Sequence, residues 1–157
     1  MTINLKTVGK NVKFGVFTKA ADVTTSTIAT HILSLDTAQS GTGISASLSG
    51  GAVVLADKSY IGFFKPFASY TAGTPLEIAF YINGLKISSQ QEAIKSKTVA
   101  ASDTSFVTRL QPAFFTYTAQ AGDILTIRYT TQETASCIFY GNTIYMGNLL
   151  ILWEIDK

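Results

Sequence analysis

In Leu76–Ile87, LEIAFYINGLKI, Leu76, Ile78, Phe80 and Ile82 alternate with Glu77, Ala79, Tyr81 and Asn83. Successive side chains of an extended strand point to opposite faces, so this spacing lays one apolar row against a core. Asn83-Gly84 follows at once, the dipeptide best able to take positive φ at both central positions of a tight turn. Leu85–Ile87 then returns, and the segment is predicted to be a hairpin.

The same pattern recurs along the chain. Strands are predicted at Val12–Phe17, Thr27–Leu35, Ile44–Leu48, Ala52–Leu55, Ser59–Ser69, Ser105–Thr118, Ile124–Thr130, Ser136–Tyr140 and Thr143–Ile155. Between them stand turn-forming clusters such as Ser49-Gly50-Gly51, Ala72-Gly73-Thr74-Pro75, Ala121-Gly122-Asp123 and Gly141-Asn142. Pro66 and Pro112 fall inside apparent strands, and each marks an edge, a bulge or a break because proline donates no ladder hydrogen bond. Only Ser89–Thr98 has helix-forming composition; without a stripe at helical spacing it is expected to be a loop. Many short strands with Gly/Asn turns predict an all-β chain folded as an antiparallel sandwich. No repeat, charged linker or low-complexity tract divides it. A short arm over residues 1–12 and one domain over residues 13–157 are expected.

The last predicted strand is unusual. One face carries Ile144, Met146, Asn148, Leu150 and Leu152; the other carries Tyr145, Gly147, Leu149, Ile151, Trp153 and Ile155. The outer face of a sandwich sheet is normally wet. Either this strand is covered on both sides by its own chain, or its second face meets another subunit. The second reading fits an oligomer.

Composition points the same way. Of 157 residues, 46% are apolar and only 14% charged, against about 25% in an average soluble domain. That balance excludes a disordered chain and a collagen-like one. A net charge of +2 is no footprint for nucleic acid. The longest apolar cluster, Gly147–Ile155, is far short of the roughly 20 residues a membrane helix needs. No charged, apolar and small-residue leader opens the chain, so synthesis in a cytoplasm without targeting is expected.

No catalytic constellation emerges. His31 is the only histidine, sits in a strand-like run and is expected to be a hydrogen-bonded structural residue. Cys137, the only cysteine, reads as a buried inert thiol, and with one His and one Cys far apart zinc is not expected. Asp22, Asp36, Asp57, Asp103, Asp123 and Asp156 are dispersed and form no calcium loop. Gly41-Thr42-Gly43 lacks a third glycine and a following helix, so no dinucleotide site is expected. Lys6, Lys10, Lys13 and Lys19 are expected to guard a solvated edge strand, and Gly122-Asp123 to form a turn with an Asx-type backbone bond. The chain is read as a non-enzyme without cofactor or metal.

Three stretches resemble a known group. Ser59–Ser69 (SYIGFFKPFAS) looks like an aromatic strand, Leu76–Leu85 (LEIAFYINGL) like a strand ending in Asn-Gly, and Ala121–Tyr129 (AGDILTIRY), followed by Cys137–Leu152, like a Gly-Asp-led strand and a terminal apolar strand. Together they resemble the complement globular-head and tumour necrosis factor-like superfamily of trimeric jelly rolls. The terminal motif departs from it: Tyr145-Met146-Gly147-Asn148-Leu149 stands where those heads commonly carry aromatic-Ser-Gly-Phe. The resemblance implies jelly-roll topology and a homotrimer with aromatic-rich faces round a three-fold axis, with Tyr60, Phe64, Tyr81, Tyr129, Tyr145 and Trp153 as candidate interface residues. Similar chains without a leader or collagen-like repeat include bacteriophage virion components. A structural virion protein that decorates or stabilises a capsid, with the major capsid protein as partner, is therefore expected. The alternative is a fibre or tail tip binding a receptor or glycan through aromatics in Tyr117–Gly122 or Ser136–Tyr145.

Overall fold

The computed structural model describes residues 13–39, 43–70, 76–87, 108–109, 112–131, 134, 136–141 and 148–155. Every regular element among them is a strand. In chain order these are β1 (Lys13–Thr18), β2 (Val23–Thr25), β3 (Thr30–Leu33), β4 (Thr37–Gln39), β5 (Ser47–Ser49), β6 (Ala52–Val54), β7 (Ser59–Lys65) and β8 (Phe67–Tyr70). They continue with β9 (Glu77–Ile82), β10 (Leu85–Lys86), β11 (Thr108–Arg109), β12 (Ala113–Thr118), β13 (Ile124–Thr130), β14 (Cys137–Phe139) and β15 (Leu149–Ile155). The arm expected over residues 1–12, the loop at 89–98 and Tyr145 lie outside the described residues.

Among the described residues all pairings are antiparallel and form three sheets. The front sheet has the order β12-β7-β15-β1-β4. The back sheet runs β10-β9-β13-β6-β5, with β3 also paired to β13. A small sheet, β11-β8-β14-β2, continues the sandwich. The all-β jelly roll expected from the sequence is the fold observed.

The hairpin at Leu76–Ile87 forms as its pattern dictates. Asn83 and Gly84 both take positive φ, 50° and 83°. Gly50 and Gly51 do the same at 56° and 84°, closing β5 onto β6. Ile78, Phe80 and Ile82 turn inward with Leu125, Ile127 and Tyr129 of β13, and meet Phe17, Phe64, Leu150 and Leu152 of the front sheet in one core.

Ser59–Ser69 is not one strand. At Pro66 the chain leaves the front sheet, where β7 pairs with β12 and β15, and enters the small sheet as β8 beside β14 and β11. Proline has no N–H, so the ladder stops there. The neighbouring backbone is satisfied by buried Asn148 instead: Phe67 N–H donates to its Oδ1 at 2.9 Å, and its Nδ2 donates to Tyr140 O at 2.8 Å and Phe67 O at 3.2 Å. Pro112 likewise separates β11 from β12.

Lys6 and Lys10 lie outside the described residues; Lys13 and Lys19 do not guard an edge. β1 lies between β15 and β4, Lys13 reaches the buried Glu154 carboxylate at 3.4 Å, and Lys19 is itself buried against Asp36 at 2.7 Å.

Candidate interface on the front sheet

Which side chains of β7 and β15 face outward follows from register. Tyr60 and Phe64 point into the core together with Leu150 and Leu152. Ile61, Phe63, Leu149, Ile151 and Trp153 therefore lie on the opposite face. Two cross-strand rows result, Phe14–Trp153–Ile61–Thr116 and Val16–Ile151–Phe63–Phe114. Neither row contains a charged residue. Ile61 is 37% exposed, Phe114 49% and Ile155, at the end of β15, 44%. The Phe63 and Phe114 rings touch at a tilted 59° with centroids 5.0 Å apart. Lys65 at one end and the Ser59–Thr118 hydroxyl pair, 3.0 Å apart, at the other give the patch a polar rim. An apolar centre with a polar rim is the layout of a protein–protein contact surface.

The expected interface set is redistributed. Tyr60, Phe64 and Tyr129 are 1, 0 and 2% exposed and belong to the core, so another chain cannot reach them. Tyr60 accepts the Ala56 N–H at 3.1 Å, and Tyr129 stacks between His31 and Phe139. Tyr81 lies on the back sheet under the Arg128 guanidinium. Trp153 alone of the described candidates faces outward from the front sheet. Ile61, Phe63 and Phe114 were missed. Their signal was available in the alternation of Ser59–Lys65 and Ala113–Thr118, but periodicity does not say which of two apolar faces is inside.

The polar residues singled out from the sequence are held structurally. His31 Nε2 lies 3.1 Å from Thr27 O and 3.4 Å from Thr25 Oγ1, while the ring stacks on Tyr129 at 5.0 Å. Burial pushes the Cys137 thiol up to about 12, and desolvation followed by the nearby Cys137 pushes the Tyr129 hydroxyl to about 12. Both stay protonated at neutral pH, which removes thiolate chemistry.

The expected turn at Gly122-Asp123 forms, with Asp123 N–H donating to Gln120 O at 3.1 Å, and the carboxylate bonds back to Gln120 rather than forward as in an Asx turn. Its Oδ2 accepts the Gln120 N–H at 2.9 Å and the Tyr117 hydroxyl at 3.0 Å, and Oδ1 accepts Asn83 Nδ2 at 2.8 Å. These bonds, Gln120 first, hold its carboxyl below the usual carboxylate range. They tie β12 of the front sheet to the hairpin of the back sheet. Burial alone would raise the Glu154 carboxyl, but the Ser45 N–H, the Ser45 hydroxyl and Lys13 together bring it below its ordinary value. The aromatics expected to meet sugars are also engaged: Tyr117 through Asp123, and Tyr140 against Phe67 with centroids 5.3 Å apart. Among the described residues no three His, Cys, Asp or Glu side chains converge as a metal-ion set.

The fold is an all-β antiparallel jelly roll. Among solved structures, the chain is similar to crystal structures of murine APRIL. One, at pH 8.5, superposes with a TM-score of 0.57 at 9% identity, covering 92% of this chain and 100% of that one. A second, at pH 8.0, gives 0.54 at 10% identity with the same coverage. Identity this low establishes the fold and nothing further. No protein-family profile and no curated protein matches the chain.

Proposed function

We propose that this protein is a non-enzymatic structural subunit that joins copies of itself through the outer face of the front sheet, as a homotrimer, and serves in a virion as a decorating or stabilising component of a capsid. The observation that carries the self-association is the pair of uncharged rows across β1, β15, β7 and β12. A solvated sandwich face would carry mainly charged or polar residues, and leaving Ile61, Phe114 and Ile155 in water is unfavourable by about 25 cal/mol per Å² of apolar surface. Three copies set round a three-fold axis close such a patch with point symmetry, each covering part of its neighbour's.

The virion assignment rests on the low charge and on the resemblance, set out above, to jelly-roll virion components. Light scattering of the purified chain tests the association: a mass three times 16.8 kDa is expected, and a monomer at micromolar concentration overturns it. Electron microscopy of the source particle tests the location. Trimeric density on the capsid surface is expected, and its absence overturns the decorating role.

A further inference from the structure

The outer face of the back sheet carries a cation that has no anion beside it among the described residues. Arg128 stands on β13, the strand flanked by β9 on one side and by β6 and β3 on the other. Its register partners are Ala79 and Ile32, neither of them an acid. Glu77, an acid on the same face of β9, is already engaged by the Lys86 ammonium. Among the described residues the Arg128 guanidinium therefore meets no carboxylate. Opposite charges are one stabilising kind of cross-strand pair, and here that partner is missing.

The guanidinium is nonetheless fixed in place. Its carbon lies 4.4 Å from the centroid of the Tyr81 ring, and Nε donates to Thr126 Oγ1 at 3.4 Å. A terminal nitrogen comes within 3.8 Å of where a Cβ would stand on Gly84, a position that must remain glycine because its φ is +83°. Among the described residues the side chain's hydrogen bond is made by Nε, which leaves the two terminal nitrogens for a ligand. Stacking on an aromatic ring and a bond to Nε pre-arrange the fork for bidentate contact with a planar anion. On the same face of the sheet Ile32 and Ile124 are exposed, and Thr126 offers a hydroxyl.

We propose that Arg128, stacked on Tyr81, forms a binding site for an acidic sugar, with the sugar carboxylate on the guanidinium fork. A carboxylate beside hydroxyls and an apolar substituent matches this set: the fork takes the charge, Thr126 a hydroxyl, and Ile32 or Ile124 the apolar group. The site is on the back sheet, so it does not depend on association through the front sheet.

The test is titration of the isotopically labelled full chain with the methyl glycoside of N-acetylneuraminic acid, followed by amide NMR. Sodium acetate, methyl galactoside and the peptide Gly-Glu-Gly serve as comparisons. Saturable shifts centred on Gly84, Thr126 and Arg128 are expected with the acidic sugar at millimolar affinity, and none with methyl galactoside. Arg128→Gln should weaken binding by about ten- to a hundredfold, the loss of one charge-assisted contact. Arg128→Lys should not restore it, because an ammonium offers no planar fork. Unchanged affinity in Arg128→Gln overturns the site. Equal shifts with acetate overturn the sugar assignment, as does tighter binding of Gly-Glu-Gly. Both variants alter an outward side chain, and retained dispersion of the amide spectrum verifies their folding.

Discussion

Gly62→Ala tests how the two main sheets are seamed. Gly62 and Phe115 are register partners on β7 and β12, and the Phe115 ring lies over the glycine. A Cβ built on Gly62 would stand 1.8 Å from Phe115 Cε1, 2.4 Å from Cζ and 2.5 Å from Cδ1. Ordinary contact between such carbons begins near 3.5 Å, so the ring must retreat by roughly 1.5–2 Å. It has nowhere to go without cost. Phe115 is buried, and its ring meets Phe80 of the back sheet with centroids 4.5 Å apart at 48°.

Overpacking of this kind costs about 1–3 kcal/mol, and complete expulsion of the ring would approach the roughly 3–5 kcal/mol of a Phe→Ala change. We expect about 3 kcal/mol. For a chain of this length, each kcal/mol lowers Tm by about 2–4 °C, so the drop is roughly 6–12 °C. The assay is thermal and urea unfolding at matched protein concentration, since association would raise apparent stability. In a Phe115→Leu background the added methyl has room, and alanine at 62 should cost under about 1 kcal/mol, leaving a coupling of about 2 kcal/mol. A Gly62→Ala variant within about 0.5 kcal/mol of wild type refutes the reasoning. So does an equal cost in both backgrounds.

Other expectations concern the interface and the buried titratable groups. Ile61→Asp places a carboxylate at the centre of the front-sheet patch, where burial against a copy costs several kcal/mol, roughly; light scattering should show single chains with an unchanged circular dichroism spectrum, and an intact oligomer removes Ile61 from the contact. Trp153→Ala should disperse the oligomer before the protomer unfolds, whereas a lower Tm in an intact oligomer would make Trp153 a core residue. Glu154 has a folded-state pKa below its ordinary 4.5, so the unfolded chain takes up the proton first; its contribution to stability is complete above about pH 5 and is lost as pH falls through the folded value. Glu154→Gln should therefore show a shallower fall of Tm with acid, and parallel wild-type and variant curves would contradict this. Cys137 should resist a thiol reagent in the folded protein and react only at the rate of unfolding; rapid labelling would show that it is not sealed in the core.

Strand content was legible because period-two alternation and Gly/Asn turns are local signals. Asn83-Gly84 predicted its hairpin from two residues, and Ser49-Gly50-Gly51 marked another turn. The short strands β2 and β4, at Val23–Thr25 and Thr37–Gln39, have no such pattern; they exist because a partner strand is there to pair with. The division at Pro66 was marked by the proline, but not its consequence. Only the distant Asn148 side chain, supplied by the segment leading into β15, shows how the interrupted ladder is satisfied.

The candidate interface was half legible for a related reason. Alternation assigns residues to two faces and is silent on which face the core takes. On β15 both faces are apolar, and the ambiguity closes only when β7 lies beside it: Tyr60, Phe64, Leu150 and Leu152 cannot share the interior with Ile61, Phe63, Ile151 and Trp153. Ranking aromatics by size as contact residues picked the core instead, because the largest rings fill the space between two sheets better than they tolerate water. What the sequence did carry was the surplus. A sandwich has one interior for its front sheet, and β15 supplies apolar residues for two. Glu154 sharpens the point, since the charge in its row turns inward to Lys13 and Ser45 while Trp153 and Ile155 turn out. A strand that turns its carboxylate inward and its tryptophan outward is what the proposed interface requires of β15.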